Sequence, residues 1–110
     1  MAELKVRVWI EKQGECVVGD GRARLLTEIE RHGSINAAAQ ALGMSYRNAW
    51  SHLQKMERRL GKPLLKRGRG GSCLTAFAKR LLAVFYDARK DIEIAAAKHS
   101  GSLRKRLRGG

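Results

Sequence analysis

A run of hydrogen-bonding side chains lies between residues 45 and 55. This run, the polar set, contains Ser45, Tyr46, Arg47, Asn48, Ser51, His52 and Lys55. A guanidinium presents two donors that match O6 and N7 of guanine, and a carboxamide pairs with adenine in a similar way. We therefore expect Arg47 and Asn48 to be the main base readers. Ser45 and Ser51 are better suited to phosphate oxygens.

The net charge points to the same class of partner. The 110 residues include 23 Lys and Arg against 10 Asp and Glu, which gives a formal charge of +13. Between Ser45 and Arg69, eight basic residues stand against one acid, Glu57. Such a concentration of positive charge is typical of a surface that faces phosphates.

Length and composition exclude other classes of protein. The chain has the length of one domain, and 44% hydrophobic residues are enough for a core. No stretch approaches the roughly 18–20 apolar residues that span a membrane, and the first seven residues lack an apolar signal core. We expect a cytoplasmic protein with no membrane partner.

Hydrophobic periodicity divides the amino-terminal part into short elements. Residues 4–10 alternate between apolar and polar side chains, which predicts a strand, and residues 16–18 predict a returning strand after a turn. Leucine and isoleucine recur every three or four positions over residues 22–32, which predicts a helix that ends at Gly33. We therefore expect a β-hairpin followed by a helix.

Two further helices are predicted around a glycine turn. Ser34 is a suitable N-cap for a short helix over residues 35–42, and Ser45 for a helix over residues 46–60. The second helix is predicted to bury Ala49, Trp50, Leu53, Met56 and Leu60. A tight turn at Gly43 and a helix locked by apolar residues are the requirements of a helix-turn-helix. Its second helix would present the polar set to a major groove; the alternative is the ordinary surface of a helical bundle.

A second hairpin is predicted after these helices. Two short apolar runs, at residues 64–67 and 73–75, flank a glycine-rich connector that we expect to form a loop longer than the tightest turns. Basic side chains on such a wing contact the DNA backbone. The predicted backbone-contacting residues are Ser34, Lys55, Lys66, Arg67, Arg69 and Ser72. The alternative is a flexible loop with incidental charge.

A long last helix is predicted over residues 76–98. Its apolar residues recur at alternating four- and three-residue steps, as in the seam of a coiled coil. The predicted dimer interface contains Leu81, Phe85, Ala88, Ile92 and Ala95. We expect residues 1–100 to form the domain and residues 101–110 a flexible basic tail. This tail either contacts the minor groove or the DNA backbone, or only raises nonspecific affinity.

No pattern of catalytic or metal-binding residues emerges, so we expect no enzyme activity, no cofactor and no metal. His32 is predicted to interact with a helix dipole, and His52 either touches DNA or is simply exposed. Core packing is favoured over base stacking for Trp50. Cys16 and Cys73 are predicted to be small buried residues, with a redox pair as the lesser alternative.

Three runs carry a family resemblance: GRARLL at residues 21–26, GSI at 33–35 with AAA at 37–39, and MSYRNAW at 44–50. These runs resemble the amino-terminal domain of ModE-type molybdate-responsive transcriptional regulators. A looser similarity to LysR-type winged helices covers Leu60-Gly61, Leu64-Leu65 and Leu74-Thr75. The resemblance spans residues 4–95 in all.

The resemblance implies a winged helix-turn-helix, a homodimer joined partly through the long last helix, and operator DNA as ligand. It places recognition on Ser45, Tyr46, Arg47, Asn48 and Ser51, and the wing on residues 66–72. Full-length family members carry oxyanion-binding domains, and no such domain follows in this sequence, so we do not expect this chain to sense molybdate directly.

Together these inferences predict a mainly α fold with small β elements: a winged helix-turn-helix with an amino-terminal β-hairpin and a long carboxy-terminal dimerisation helix. The predicted function is that of a transcriptional regulator which binds specific double-stranded DNA as a homodimer. The alternatives are a nonspecific or architectural nucleic-acid binder, and an adaptor that docks a separate effector-sensing protein.

Overall fold

The fold is mainly helical and carries two small antiparallel hairpins, as predicted. The structure is a computed structural model that describes residues 2–68 and 70–109. The elements in chain order are β1 (Ile10–Lys12), β2 (Glu15–Val18), α1 (Asp20–His32), α2 (Ile35–Ala41), α3 (Tyr46–Leu60), β3 (Leu65–Gly68), β4 (Gly71–Leu74) and α4 (Ala76–Arg108). The first hairpin pairs β1 with β2, and the second pairs β3 with β4.

One hydrophobic core joins all four helices to the bases of both hairpins. Its largest fully buried side chains are Phe85, Leu25, Leu26, Ile29, Leu53, Met56, Leu64, Leu74, Val17 and Val18. Burying one such side chain contributes about 1.5–3 kcal/mol. The core therefore fixes α3 and the second hairpin relative to α1.

Local capping signals set the helix boundaries where the sequence predicted them. The hydroxyls of Ser34 and Ser45 accept hydrogen bonds from Ala37 N (2.9 Å) and Asn48 N (3.1 Å). Gly33 ends α1 in the left-handed region, with φ 75°. These caps satisfy backbone groups that a helix end leaves without partners.

The predicted first strand is wrong over most of its length, because β1 begins only at Ile10. The preceding segment lies instead along the far part of α4. There Leu4 N donates to Ser100 Oγ at 2.7 Å, and Arg104 Nη1 donates to Ala2 O at 3.2 Å. These backbone groups therefore find partners on a helix rather than in a sheet.

The last helix is longer than predicted, since α4 continues past residue 98 to Arg108. The expected flexible tail is therefore wrong over residues 101–108. A single glycine such as Gly101 costs about 1 kcal/mol in a helix, and the leucines, lysines and arginines that follow are good helix formers. At 33 residues, α4 is about 50 Å long.

Phe85 does not lie on a free seam of α4. Its side chain is 1% exposed and packs in the chain's own core, with its ring 5.5 Å from that of Tyr86. Phe85 is therefore not available to a partner, and the predicted five-residue interface cannot form as a unit. Ile92 and Ala95, from the same prediction, are exposed.

Candidate nucleic-acid interface

A tight turn packs α2 against α3. Gly43 adopts φ 69°, which favours glycine, and Met44 N donates to Ala39 O at 3.0 Å. Ala38 and Ala49 are completely buried, so small side chains let the two helices approach closely. This arrangement confirms the predicted helix-turn-helix geometry.

The first turn of α3 presents an exposed edge, which we call the leading edge, formed by Tyr46, Arg47 and Asn48. Tyr46 is 48% exposed. The buried Ala49, Leu53 and Met56 fix the helix from behind. Arg47 and Asn48 therefore stand free to meet a ligand, as the sequence predicted.

Other members of the polar set occupy different environments. Ser45 is the N-cap of α3, and Ser51 and His52 are half-buried, while Lys55 is exposed. His52 accepts a hydrogen bond at Nδ1 from Arg22 Nε at 3.2 Å. Burial lowers the pKa of His52, and the charges of Arg22 and Lys55 lower it further. His52 is thus neither freely exposed nor part of the leading edge, and its partner on α1 was not predicted.

Trp50 is not a core residue, because 37% of its side chain is exposed. It lies one position beyond the buried stripe of α3 and lines a cleft of about 180 Å³ between α3 and the second hairpin. Arg67 and Ser72 line the same cleft. The structure therefore brings one aromatic residue of the helix beside two predicted backbone-contacting residues.

The second hairpin, which we call the wing, is tied to the helix-turn-helix through its backbone. Ser72 N donates to Gly33 O at 2.8 Å. Gly33 directly precedes Ser34, the N-cap residue of α2. Gly68 pairs with Gly71, so two residues connect the strands and the loop is shorter than predicted. Arg69, a predicted phosphate contact, lies outside the described residues.

Two carboxylates hold the base of the wing, and sequence reasoning missed both. Glu57 Oε2 on α3 accepts from Leu64 N at 2.8 Å, and Glu30 Oε2 on α1 accepts from Leu74 N at 2.9 Å. Glu30 also lies 3.6 Å from Lys79 Nζ. An isolated acid in a basic segment, such as Glu57, is the signal that could have identified one of them.

Gly71 is required where the wing meets α1. Its φ is 149°, and a Cβ atom there would overlap the carbonyl oxygen of Gly33. Any other residue would therefore displace the wing from the helix-turn-helix.

Lys66 and Arg67 point to opposite faces of the wing, since side chains alternate along a strand. Lys66 pairs across the hairpin with Cys73, and Arg67 pairs with Ser72. Only Arg67 lines the cleft beside Trp50. The wing therefore presents its two described cations differently.

A set of basic side chains is exposed around α3 and the wing. It comprises Arg47, Lys55, Arg58, Lys62, Lys66 and Arg67. Within residues 2–68 and 70–109, none of these has an ion-pair partner, although Lys62 Nζ lies 5.0 Å from the centre of the Phe77 ring. Arg59 differs because it pairs with Glu15 on β2. Cations without acidic partners are available to phosphates.

Neither cysteine matches its predicted environment fully. Cys16 is exposed, because it precedes the buried end of β2 at Val17 and Val18. Cys73 is half-buried, and both thiols are free. His32 is exposed, and its Nε2 lies 2.8 Å from Glu28 Oε2 one turn earlier on α1.

In the described part of the chain, no cluster of three or more His, Cys, Asp or Glu side chains could hold a metal ion. Over the same residues, no helix combines the length and the apolar character needed to cross a bilayer.

Residues 21–79 match the family model described as bacterial regulatory helix-turn-helix protein, lysR family. The chain belongs to this family. The matched region runs from the start of α1 to the first turn of α4. It therefore includes both the leading edge and the wing of this chain. It leaves out the first hairpin and most of α4.

The resemblance to ModE-type regulators is also confirmed. The chain is 38% identical over 90 residues to the transcriptional regulator ModE of Haemophilus influenzae, covering 77% of this chain and 35% of that protein. It is 41% identical over 84 residues to the molybdenum transport protein ModE of Azotobacter vinelandii, covering 72% and 31%. The chain thus spans about a third of the length of these curated relatives.

Solved lysR-family structures share the fold. The crystal structure of a CbnR_DBD–DNA complex has a TM-score of 0.54 and 30% identity, and covers 82% of this chain and 97% of that one. A BenM_DBD/benA site 1 DNA complex has a TM-score of 0.58 at 20% identity, covering 82% and 96%. The winged helix-turn-helix fold is therefore established for this chain.

Proposed function

We propose that this protein is a transcriptional regulator of the ModE type that binds specific double-stranded DNA as a homodimer in the cytoplasm. The observation that carries the proposal is the leading edge of α3. It is exposed on the side of the helix opposite the buried stripe, and the cations around it have no acidic partner among residues 2–68 and 70–109. The 30% identity to the protein of the CbnR_DBD–DNA complex supports DNA as the ligand.

Base recognition falls to the leading edge in this proposal. Arg47 pairs with guanine and Asn48 with adenine, each contributing about 1–3 kcal/mol of discrimination. Tyr46 and Ser51 border these contacts. His52 stands behind them, because its ring is engaged with Arg22.

Backbone contacts fall to the surrounding residues. Phosphates are neutralised by Lys55, Lys66, Arg67 and Arg69. The hydroxyl protons of Ser34, Ser45 and Ser72 can be donated to phosphate oxygens. The hydrogen bonds that these serines make within the protein use other atoms: the hydroxyl lone pairs of Ser34 and Ser45 and the backbone amide of Ser72. The phosphate contacts set the register of the protein on the duplex without reading its sequence.

Dimerisation uses an outer face of α4 that excludes Phe85. This face carries Val84, Ala88, Ile92 and Ala95, which recur every three or four residues and lie beside the buried stripe. Val84 is 64% exposed. Two copies joined through this face would place half-site centres about 34 Å apart, or a multiple of that distance.

The test starts from selection of bound duplexes out of a random library. We expect the selected duplexes to share two related half-sites and to bind at least about 10³-fold more tightly than random duplex at fixed salt. A ratio near one would contradict the proposal and favour an architectural, nonspecific binder.

A further inference from the structure

Arg22 joins three elements behind the leading edge. It lies in the first turn of α1 and donates from Nη1 to Val17 O on β2 at 2.8 Å. Its Nε donates to His52 Nδ1 on α3 at 3.2 Å. One guanidinium thus links α1, the first hairpin and the recognition helix. The roles predicted for the polar set are contacts with DNA, so they do not explain this contact within the protein.

The contact requires a neutral imidazole. His52 Nδ1 can accept a hydrogen bond only when the ring proton lies on Nε2. The cavity beside the ring, about 270 Å³ in volume, is lined by Cys16, Gly19, Gly21, Arg22, Leu25, Met44 and His52. Arg22 from α1 and Lys55 from α3 are the charged groups that face the ring, and Cys16 on β2 adds a thiol. Because no carboxylate is among the described groups that face the ring, a protonated ring would meet only like charge there.

A second tether holds the same face of α3. Arg59 forms an ion pair with Glu15 on β2. Residues 52 and 59 are seven positions apart, so they lie two turns apart on one helix face. Fixing a helix at two points on one face restricts its rotation about its axis. Both tethers lead to the first hairpin, which lies before the region matched by the lysR-family model.

Rotation of α3 about its axis would displace the base-reading side chains of Arg47 and Asn48. Asn48 precedes His52 by four residues and lies on the same face, one turn closer to the helix start. A direct base contact tolerates little displacement, whereas a phosphate contact made by a long cationic side chain adapts.

We propose that Arg22 and His52 are positioning residues, which set the orientation of the recognition helix through the Arg22–His52 hydrogen bond and do not themselves contact DNA. The proposal rests on the proposed function, because its consequence is a loss of specific binding with nonspecific binding retained.

Three variants and one control test the positioning role. His52→Ala and Arg22→Ala remove the hydrogen bond. His52→Asn places an amide oxygen near the position of Nδ1 but cannot become protonated. Arg24→Ala, an exposed arginine on the same helix, controls for the loss of one positive charge. Each is titrated with the selected and the random duplex.

We expect His52→Ala and Arg22→Ala to lower the ratio of specific to random affinity about 3- to 10-fold, the range of one lost hydrogen bond. His52→Asn keeps the ratio of the unmodified protein, and Arg24→Ala weakens both duplexes alike. An unchanged ratio in His52→Ala and Arg22→Ala would overturn the proposal. An equal loss on both duplexes would do so too, because it would indicate simple phosphate contacts.

The pH profile separates positioning from DNA contact. Burial lowers the pKa of His52 below its usual 6.5, and Arg22 and Lys55 lower it further, so the ring is neutral at pH 7.5 and gains a proton only as the pH falls below 6.5. We expect the specificity ratio to fall as the ring gains this proton in the unmodified protein but not in His52→Asn. A ratio that rises as pH falls would overturn the proposal, since it would mean that the imidazolium binds phosphate.

A measurement without DNA keeps this inference separate from the proposed function. Nitrogen-15 NMR of the free protein near pH 7.5 reports which ring nitrogen of His52 carries the proton. We expect the Nε2–H form, and a proton on Nδ1 would overturn the inference even if DNA binding is specific. Absence of any specific duplex, with the Nε2–H form present, would instead contradict the proposed function.

Discussion

At the scale of single residues, roles that depend on near neighbours in the sequence were predictable, and roles that depend on distant ones were not. Ser34 and Ser45 were recognised as caps because their acceptors serve a backbone amide three residues later. Trp50 was wrongly assigned to the core because one position on a helix separates a buried from an exposed side chain. Arg22, Glu30 and Glu57 were missed because their partners lie in other elements.

Gly71 is the residue where the smallest change has the clearest steric consequence. We predict that Gly71→Ala destabilises the protein by about 1–3 kcal/mol, because the new methyl group overlaps Gly33 O and the φ of 149° is strained. Urea unfolding measures the change. Gly68→Ala is the matched control, since, apart from its chain neighbours, no atom of the described residues lies within 4 Å of its added Cβ. An equal loss in both variants would contradict the steric explanation.

Glu57 supports the wing with one carboxylate oxygen. We predict that Glu57→Ala lowers the free energy of unfolding by about 1–2 kcal/mol, because Leu64 N loses its acceptor. Glu57→Gln retains an oxygen acceptor and should recover most of the loss. If the glutamine variant is as unstable as the alanine variant, the charge of Glu57 rather than its hydrogen bond is responsible.

At the scale of elements, caps and glycines made the boundaries of α1 and α3 predictable, because such signals act within one turn. The two ends of the chain were not predictable in this way. The segment before β1 lies along α4, and α4 continues through Gly101. Contacts such as Leu4 N to Ser100 Oγ join residues 96 positions apart, so no local pattern indicates them. A pattern of alternation cannot distinguish a strand from an extended segment held by a helix.

The outer face of α4 is the element-scale surface whose role can be tested separately. We predict that Ile92→Glu converts a dimer into a monomer at micromolar concentration, because a carboxylate would be buried between two copies without a partner. Ile94→Glu is the control: Ile94 is 60% exposed but lies on another side of α4. Analytical ultracentrifugation measures both. A monomeric unmodified protein, or equal effects of the two variants, would contradict this interface.

At the scale of the whole molecule, the net charge of +13 was known from composition, but its organisation required the fold. The core packs α3 beside the wing. The carboxylates of Glu30 and Glu57 accept backbone hydrogen bonds at the base of the wing. The exposed cations around the leading edge are thereby left without acidic partners in the described residues. The proposed phosphate contacts and the proposed base recognition therefore both use α3 and the wing.

The assignment of Arg67 to a phosphate and of Arg47 to a base predicts how the DNA affinity of each variant depends on salt concentration. Arg67→Ala should reduce the slope of log K against log salt concentration by about one, because one phosphate contact releases about 0.9 of a counterion. Arg47→Ala should change the slope less, since its partner is a base. Titrations on the selected duplex at several salt concentrations measure both slopes, and an unchanged slope in Arg67→Ala would remove the proposed phosphate contact.

The most direct test of the central claim compares Arg47→Ala with Arg67→Ala on the selected and random duplexes at one salt concentration. The account predicts that Arg47→Ala loses about 1–3 kcal/mol of specific binding with little change on random DNA. Arg67→Ala should weaken both duplexes alike. Equal losses on both duplexes for Arg47→Ala would contradict base recognition by the leading edge of α3.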